Sequence, residues 1–135
     1  MVLIDTGPVV ALFDKSDTHH ATCVETLREI DEPLVTTWPV LTECMYLLDF
    51  SDKAQQLCWV FLATAPVEIA VQDIVDAPLL SKLMKKYSDL PMSLADASLV
   101  HAANERGLRT IFALDSDFQV YRLRGGKGFE VIPGS

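Results

Sequence analysis

Positive charge is scarce in this sequence. Eleven Lys and Arg residues face nineteen Asp and Glu, a net charge of -8, which argues against a simple basic nucleic-acid-binding surface. Cysteine is scarce too: Cys23, Cys44 and Cys58 are odd in number and lack CxxC or zinc-like spacing. They read as buried thiols in a reducing compartment and imply no structural metal. Of the three histidines, His19 and His20 are adjacent; on a helix their side chains diverge, so they read as surface or cap residues. The apolar stretch Met1 to Phe13 carries Asp5 early and has no basic leader, against a signal peptide. The run Cys58 to Ala70 is too short to span a bilayer and contains Glu68. No repeat, linker or low-complexity segment occurs. These absences leave the expectation of a single soluble cytoplasmic domain of 135 residues, long enough to bury about two-thirds of its extended-chain surface.

What is present is an alternation of short apolar runs with helical patterns. Val2-Leu3-Ile4, Leu34-Val35-Thr36, Pro66 to Ala70, Thr110 to Leu114 and Phe129 to Ile132 read as strands. Val67-Glu68-Ile69 alternates as an edge strand does. Helices are predicted from Pro8 to Phe13, from His19 or His20 to about Ile30, from Pro39 to about Phe50 and from Ser51-Asp52 through Ala63, where Leu57, Trp59, Val60 and Phe61 read as core. Two more follow, Ile74 to Tyr87 and Ser93 to Gly107, the glycine supplying a left-handed C-cap. Lys82, Lys85 and Lys86 suit a solvated C-terminal helix end, with an RNA site as the alternative, and Tyr121 to Gly128 reads as a basic, glycine-containing turn. This order predicts an α/β domain, a parallel sheet of four to five strands between helices with right-handed crossovers.

Four acids do not fit a purely structural reading. Asp96 has Met92, Ser93, Leu99, Val100 and Ala103 as helical neighbours, so it falls on an apolar face. A capping box with Ser93 is the plain alternative. Asp5 is the only charged residue among the first thirteen, and an N-cap would also account for it. Glu43 is the only charge between Pro33 and Leu48, set among Pro39, Val40, Tyr46, Leu47 and Phe50. Asp115 ends a predicted strand. In a parallel sheet the reactive crevice lies at the carboxyl ends of the strands, where Asp5 and Asp115 must sit. Glu43 lies early in the helix leaving the second strand at that edge, and the short Gly107-Leu108-Arg109 link returns the N-terminus of the preceding helix, with Asp96, to it. Four carboxylates in one crevice repel and raise one another's pKa. A hard divalent cation with all-oxygen ligands, Mg²⁺ or Mn²⁺, resolves that conflict and suits a substrate with phosphate oxygens.

The stretches Leu3-Ile4-Asp5-Thr6, the isolated helical Glu43, Ser93-Leu94-Ala95-Asp96-Ala97 and Leu114-Asp115-Ser116-Asp117-Phe118 resemble the acidic motifs of PIN-domain ribonucleases, most of all the VapC-type toxins of bacterial toxin–antitoxin pairs. The resemblance runs from Val2 to Val131. It implies a single PIN-like domain over residues 1–135 and a Mg²⁺- or Mn²⁺-dependent endoribonuclease. It implies Asp5, Glu43, Asp96 and Asp115 as catalytic, metal-binding residues, with Asp117 replacing or assisting Asp115. Many relatives carry Thr or Ser two residues before the late acid, where this chain has Ala113; Thr6 or Ser116 would then supply the supporting hydroxyl. The resemblance further implies an RNA substrate, a homodimer and a small cognate antitoxin that inserts a segment into the crevice. Arg122, Arg124 and Lys127 are candidate RNA-phosphate contacts, with a solvated turn as the alternative.

Other readings fit less well. An aspartyl-phosphate phosphatase needs a second acid two residues after Asp5, where Gly7 stands, and a receiver domain needs adjacent early acids and a late lysine. A catalytically inactive PIN-like scaffold that binds RNA or protein is the non-enzyme alternative. Retention of all four acids counts against it, because a binding module gains nothing from repelling carboxylates on apolar faces.

Overall fold

Strand β1, Val2–Ile4, is buried on both faces, as three consecutive large aliphatic residues require of a central parallel strand. Its neighbours follow from that position in a computed structural model that describes residues 1–134. β2 (Leu34–Thr36) and β4 (Thr110–Phe112) flank β1. β3 (Val67–Ile69) and β5 (Glu130–Ile132) form the edges. The five strands run parallel in the order β3-β2-β1-β4-β5. The sequence-based expectations of a parallel sheet and of an edge position for Val67-Glu68-Ile69 both hold.

The helices are α1 (Thr6–Phe13), α2 (His20–Glu29), α3 (Trp38–Leu47), α4 (Asp52–Thr64), α5 (Ala77–Lys86) and α6 (Leu94–Arg106). α1 packs with α2, α3 and α4; α6 packs with α3 and α5. Their ends are fixed by local chemistry. Thr37, Ser51 and Ser93 accept hydrogen bonds from the backbone N–H groups of Val40, Ala54 and Asp96, satisfying donors that a helix start leaves unpaired. Gly107 closes α6 at φ 65°, a left-handed conformation that glycine adopts without steric cost. His19 precedes α2, and the His20 ring bonds the Ala11 carbonyl at 2.7 Å, so neither departs from the surface-or-cap expectation. All three cysteines are buried thiols, and burial pushes Cys23 and Cys58 up to about 11.

Two expectations need correction. The face of α4 read as core is largely solvent-facing: Leu57, Trp59 and Val60 are 46%, 43% and 56% exposed, while Ala54 and Cys58 make the buried contacts. The periodicity located an apolar stripe but not what covers it. The helix predicted from Ile74 is a 3₁₀ turn, Ile74–Asp76, followed by α5. Asp73 and Asp76 bond each other's backbone there, a capping box that fixes this turn ahead of α5.

No helix among the described residues is long and apolar enough to cross a membrane.

Candidate active site

The strand order reverses between β1 and β4, since the chain steps outward from β1 through β2 to β3 and then returns to β1's other side. A crevice opens at such a switch point, beyond the carboxyl ends of the two strands. Asp5 follows β1 directly, its N–H bonded to the Phe112 carbonyl at 3.0 Å, and Asp115 follows β4 by three residues. A cleft of about 490 Å³ lies there, lined by Asp5, Thr6, Glu43, Asp96, Asp115 and Asp117, with Gly7, Pro91, Ser93 and Leu114 completing its wall. The four expected carboxylates and Asp117 therefore meet in one place.

Their arrangement is uneven. Asp96, Asp115 and Asp117 each present an oxygen within 4.8 Å of the others, the compact set among the described residues that could hold a metal ion. Asp5 and Glu43 line the same cleft outside this triplet. Asp117 owes its place to backbone chemistry: Asp115 Oδ1 accepts its N–H at 2.9 Å and caps the 3₁₀ turn Ser116–Gln119, which folds the second acid beside the first. Asp117 thus joins Asp115 rather than replacing it in the cleft.

Two hydroxyls orient the acids. Thr6 Oγ1 donates to Glu43 Oε1 at 2.8 Å, so its hydroxyl supports Glu43. Ser116 is exposed and outside the cleft lining. Tyr121 Oη donates to Asp96 Oδ2 at 2.7 Å. Sequence reading missed Tyr121, placing it in a basic turn. It is fully buried, edge-on to Phe118 and Tyr87; the Phe118-Tyr121 spacing was the available signal that this turn has an apolar inner side. Ser93 caps α6 through the Asp96 N–H, yet the Asp96 carboxylate faces Tyr121 and the cleft. Only half of the proposed capping box forms, and capping does not explain the acid. Asp5 occupies the N-cap position of α1 without a side-chain cap bond, so capping does not explain it either.

The electrostatics are those of uncompensated charge. Asp5 is 5% exposed, and burial first, then Asp96, Glu43 and Asp115, push its carboxyl up to about 7. Burial likewise lifts Asp96 to about 6, with Asp115, Glu43 and Asp117 adding and the Tyr121 hydrogen bond opposing. Asp117 is raised by burial and by Asp115. The same surroundings raise the Tyr121 phenol, keeping it a donor. Such a cluster is costly in the folded chain unless cations or protons neutralise it. Its all-oxygen donors fit a hard divalent ion.

The basic candidates lie apart from the cleft lining. Arg122 lays its guanidinium on the carbonyls of Gln119, Val120 and Tyr121. Arg124 reaches Glu105 at 3.2 Å, and Lys127 is exposed.

A parallel α/β sheet with acids converging at its switch point is the architecture of the PIN domain, whose family model matches residues 2–123; the chain belongs to that family. Over 135 residues it is 30% identical to Ribonuclease VapC26 of Mycobacterium tuberculosis, covering 98% of this chain and all of that protein, so within the family it stands with the VapC-type ribonucleases. The solved VapC20 of Mycobacterium tuberculosis, described as a sarcin-ricin loop cleaving toxin, superposes with a TM-score of 0.81 at 18% identity, over 89% of this chain and 94% of that one. VapBC2 from Rickettsia felis, bound to a promoter DNA fragment, gives 0.62 at 16% identity over 89% and 92%. These two likenesses speak for the fold.

Proposed function

We propose that this chain is a toxin-type endoribonuclease that hydrolyses single-stranded or looped RNA with Mg²⁺ or Mn²⁺, leaving a 5′-phosphate. The observation that carries this reading is the convergence of Asp96, Asp115 and Asp117 within 4.8 Å, in one cleft with Asp5 and Glu43. When bound, the cation polarises the phosphoryl group, activates water and stabilises the leaving oxygen. The chain's own residues do the rest. Asp5, Asp96, Glu43 and Asp115, with Asp117, supply the negative field that retains the ion. Tyr121 and Thr6 occupy one oxygen each of Asp96 and Glu43, so both carboxylates meet the ion in a fixed orientation at little further entropic cost. Unstacked RNA with a bendable backbone fits an open cleft better than duplex does.

The partners belong to this proposal as well. Tyr46 and Leu47 at the end of α3, Phe50 in the turn after it, and Leu57, Trp59 and Val60 on α4 are 43–73% exposed. An apolar surface of this extent supports protein contacts, and we assign it to a homodimer and a small antitoxin. The test is cleavage of labelled single-stranded RNA by the purified protein. Cleavage with Mn²⁺ that stops in excess EDTA supports the reading; undiminished cleavage in EDTA overturns the mechanism.

A further inference from the structure

Six of the eleven Lys and Arg residues gather along one seam, away from the acidic cleft. A cavity of about 190 Å³ between α5, α6 and the segment after Tyr121 is lined by Lys82, Lys86, Arg122 and Arg124. A second of about 260 Å³ adjoins it, sharing Arg124 and Asn104 and adding Arg109 and Lys127. Among the described residues, Lys82, Lys86, Arg109 and Lys127 take part in no ion pair. Arg124 has one with Glu105, but both partners are more than half exposed, where such a pair contributes little. In a chain of net charge -8, six cations therefore gather where only one of them is in an ion pair.

We propose that this seam binds successive phosphates of the RNA strand as it leaves the cleft. The inference rests on the RNA-cleaving reading and extends it to a second site. Two adjoining cavities joined through Arg124 match a polyanion of repeating charge better than one free anion. The seam also lies along the helix that carries Asp96: eight residues separate Asp96 from Asn104, about 12 Å along the axis at about 1.5 Å per residue. That distance is a few nucleotides at the stacked spacing of about 3.4 Å per strand. Lys82 and Lys86, which the sequence presents as a solvated helix end, join Arg124 and Lys127 only because α5 packs beside the last turn of α6.

The test is the KCl dependence of kcat/KM for Mn²⁺-supported cleavage of a single-stranded RNA. Wild type is compared with Lys82→Ala/Lys86→Ala, with the same protein also carrying Arg124→Ala and Lys127→Ala, and with Lys15→Ala/Lys53→Ala as a charge-matched control elsewhere. The double variant should flatten the log–log slope by about 0.7 per lost contact, and the quadruple variant by about twice as much as the double. KM should rise by about tenfold or more at physiological salt, with kcat little changed. The double variant, altered only on the exposed face of α5, keeps the test valid if the quadruple variant does not fold. Slopes equal to wild type and control, in proteins that still cleave, overturn the seam and leave the nuclease standing; an acidic protein partner would give this result. A wild-type protein that cleaves no RNA with Mn²⁺ overturns both.

Discussion

Asp96 shows how a single side chain separates stability from function. The residue is buried with its carboxylate facing the cleft among like charges, so replacing it with Asn removes repulsion and keeps the Tyr121 hydroxyl paired. Asp96→Asn is expected to abolish RNA cleavage while leaving the metal-free protein as stable as wild type or more so, checked by thermal melting in EDTA. Tyr121 is a positioning residue, acting through Asp96. Tyr121→Phe keeps the aromatic packing on Phe118 and Tyr87 but deletes the bond that holds the carboxyl's pKa down. It should weaken Mn²⁺ binding measured by calorimetry and move the pH at which the ion binds upward. An unchanged pH profile would return Tyr121 to core packing. Asp5, Glu43 and Asp96 were legible as candidates because each is a charge in an apolar context, and Asp115 because it ends a predicted strand. Tyr121 was not, because a hydrogen bond across 25 residues leaves no periodic trace.

Elements place these residues, and their ends do most of the placing. α6 begins where the Ser93 hydroxyl takes the Asp96 N–H, so the cap fixes the turn that carries the acid. Ser93→Ala should cost about 1 kcal/mol and weaken metal binding as well. Ser51→Ala, the equivalent cap on α4, should cost a similar amount with metal binding unchanged; calorimetry and melting on both variants check the distinction. Equal metal affinity in the two would mean that the α6 cap is a stability element alone. The succession of strands and helices along the chain was readable from alternating patterns, and the C-cap at Gly107 from one residue; the spatial order of the strands was not. The exposed stripe of Leu57, Trp59 and Val60 was misread because periodicity reports an apolar face without reporting what covers it. The 3₁₀ turn before α5 escaped because its cause is a pair of aspartates, Asp73 and Asp76, binding each other's backbone.

At the scale of the whole molecule, the fold concentrates negative charge at its switch point and must offset the cost. Burial and neighbouring carboxylates push Asp5 up to about 7 and Asp96 up to about 6 in the folded chain, above the ordinary carboxyl value. The folded state therefore binds more protons than the unfolded chain between about pH 4 and pH 7, and stability falls as pH rises through that window. Metal-free protein should melt at progressively lower temperature from pH 4.5 to pH 7.5 on account of these groups. Divalent ion should remove most of that decline, because it takes the place of the protons.

The central claim is that these carboxylates exist to hold a cation. The most direct measurement is the melting temperature of wild type and Asp96→Asn at neutral pH, each with EDTA and with Mn²⁺ at about ten times the wild-type dissociation constant. Binding at that level adds about 1.4 kcal/mol to the folded state, a rise of about 3–5 °C for a domain of this size. Wild type should show that rise and Asp96→Asn should lose most of it. An equal rise in both proteins would contradict the account.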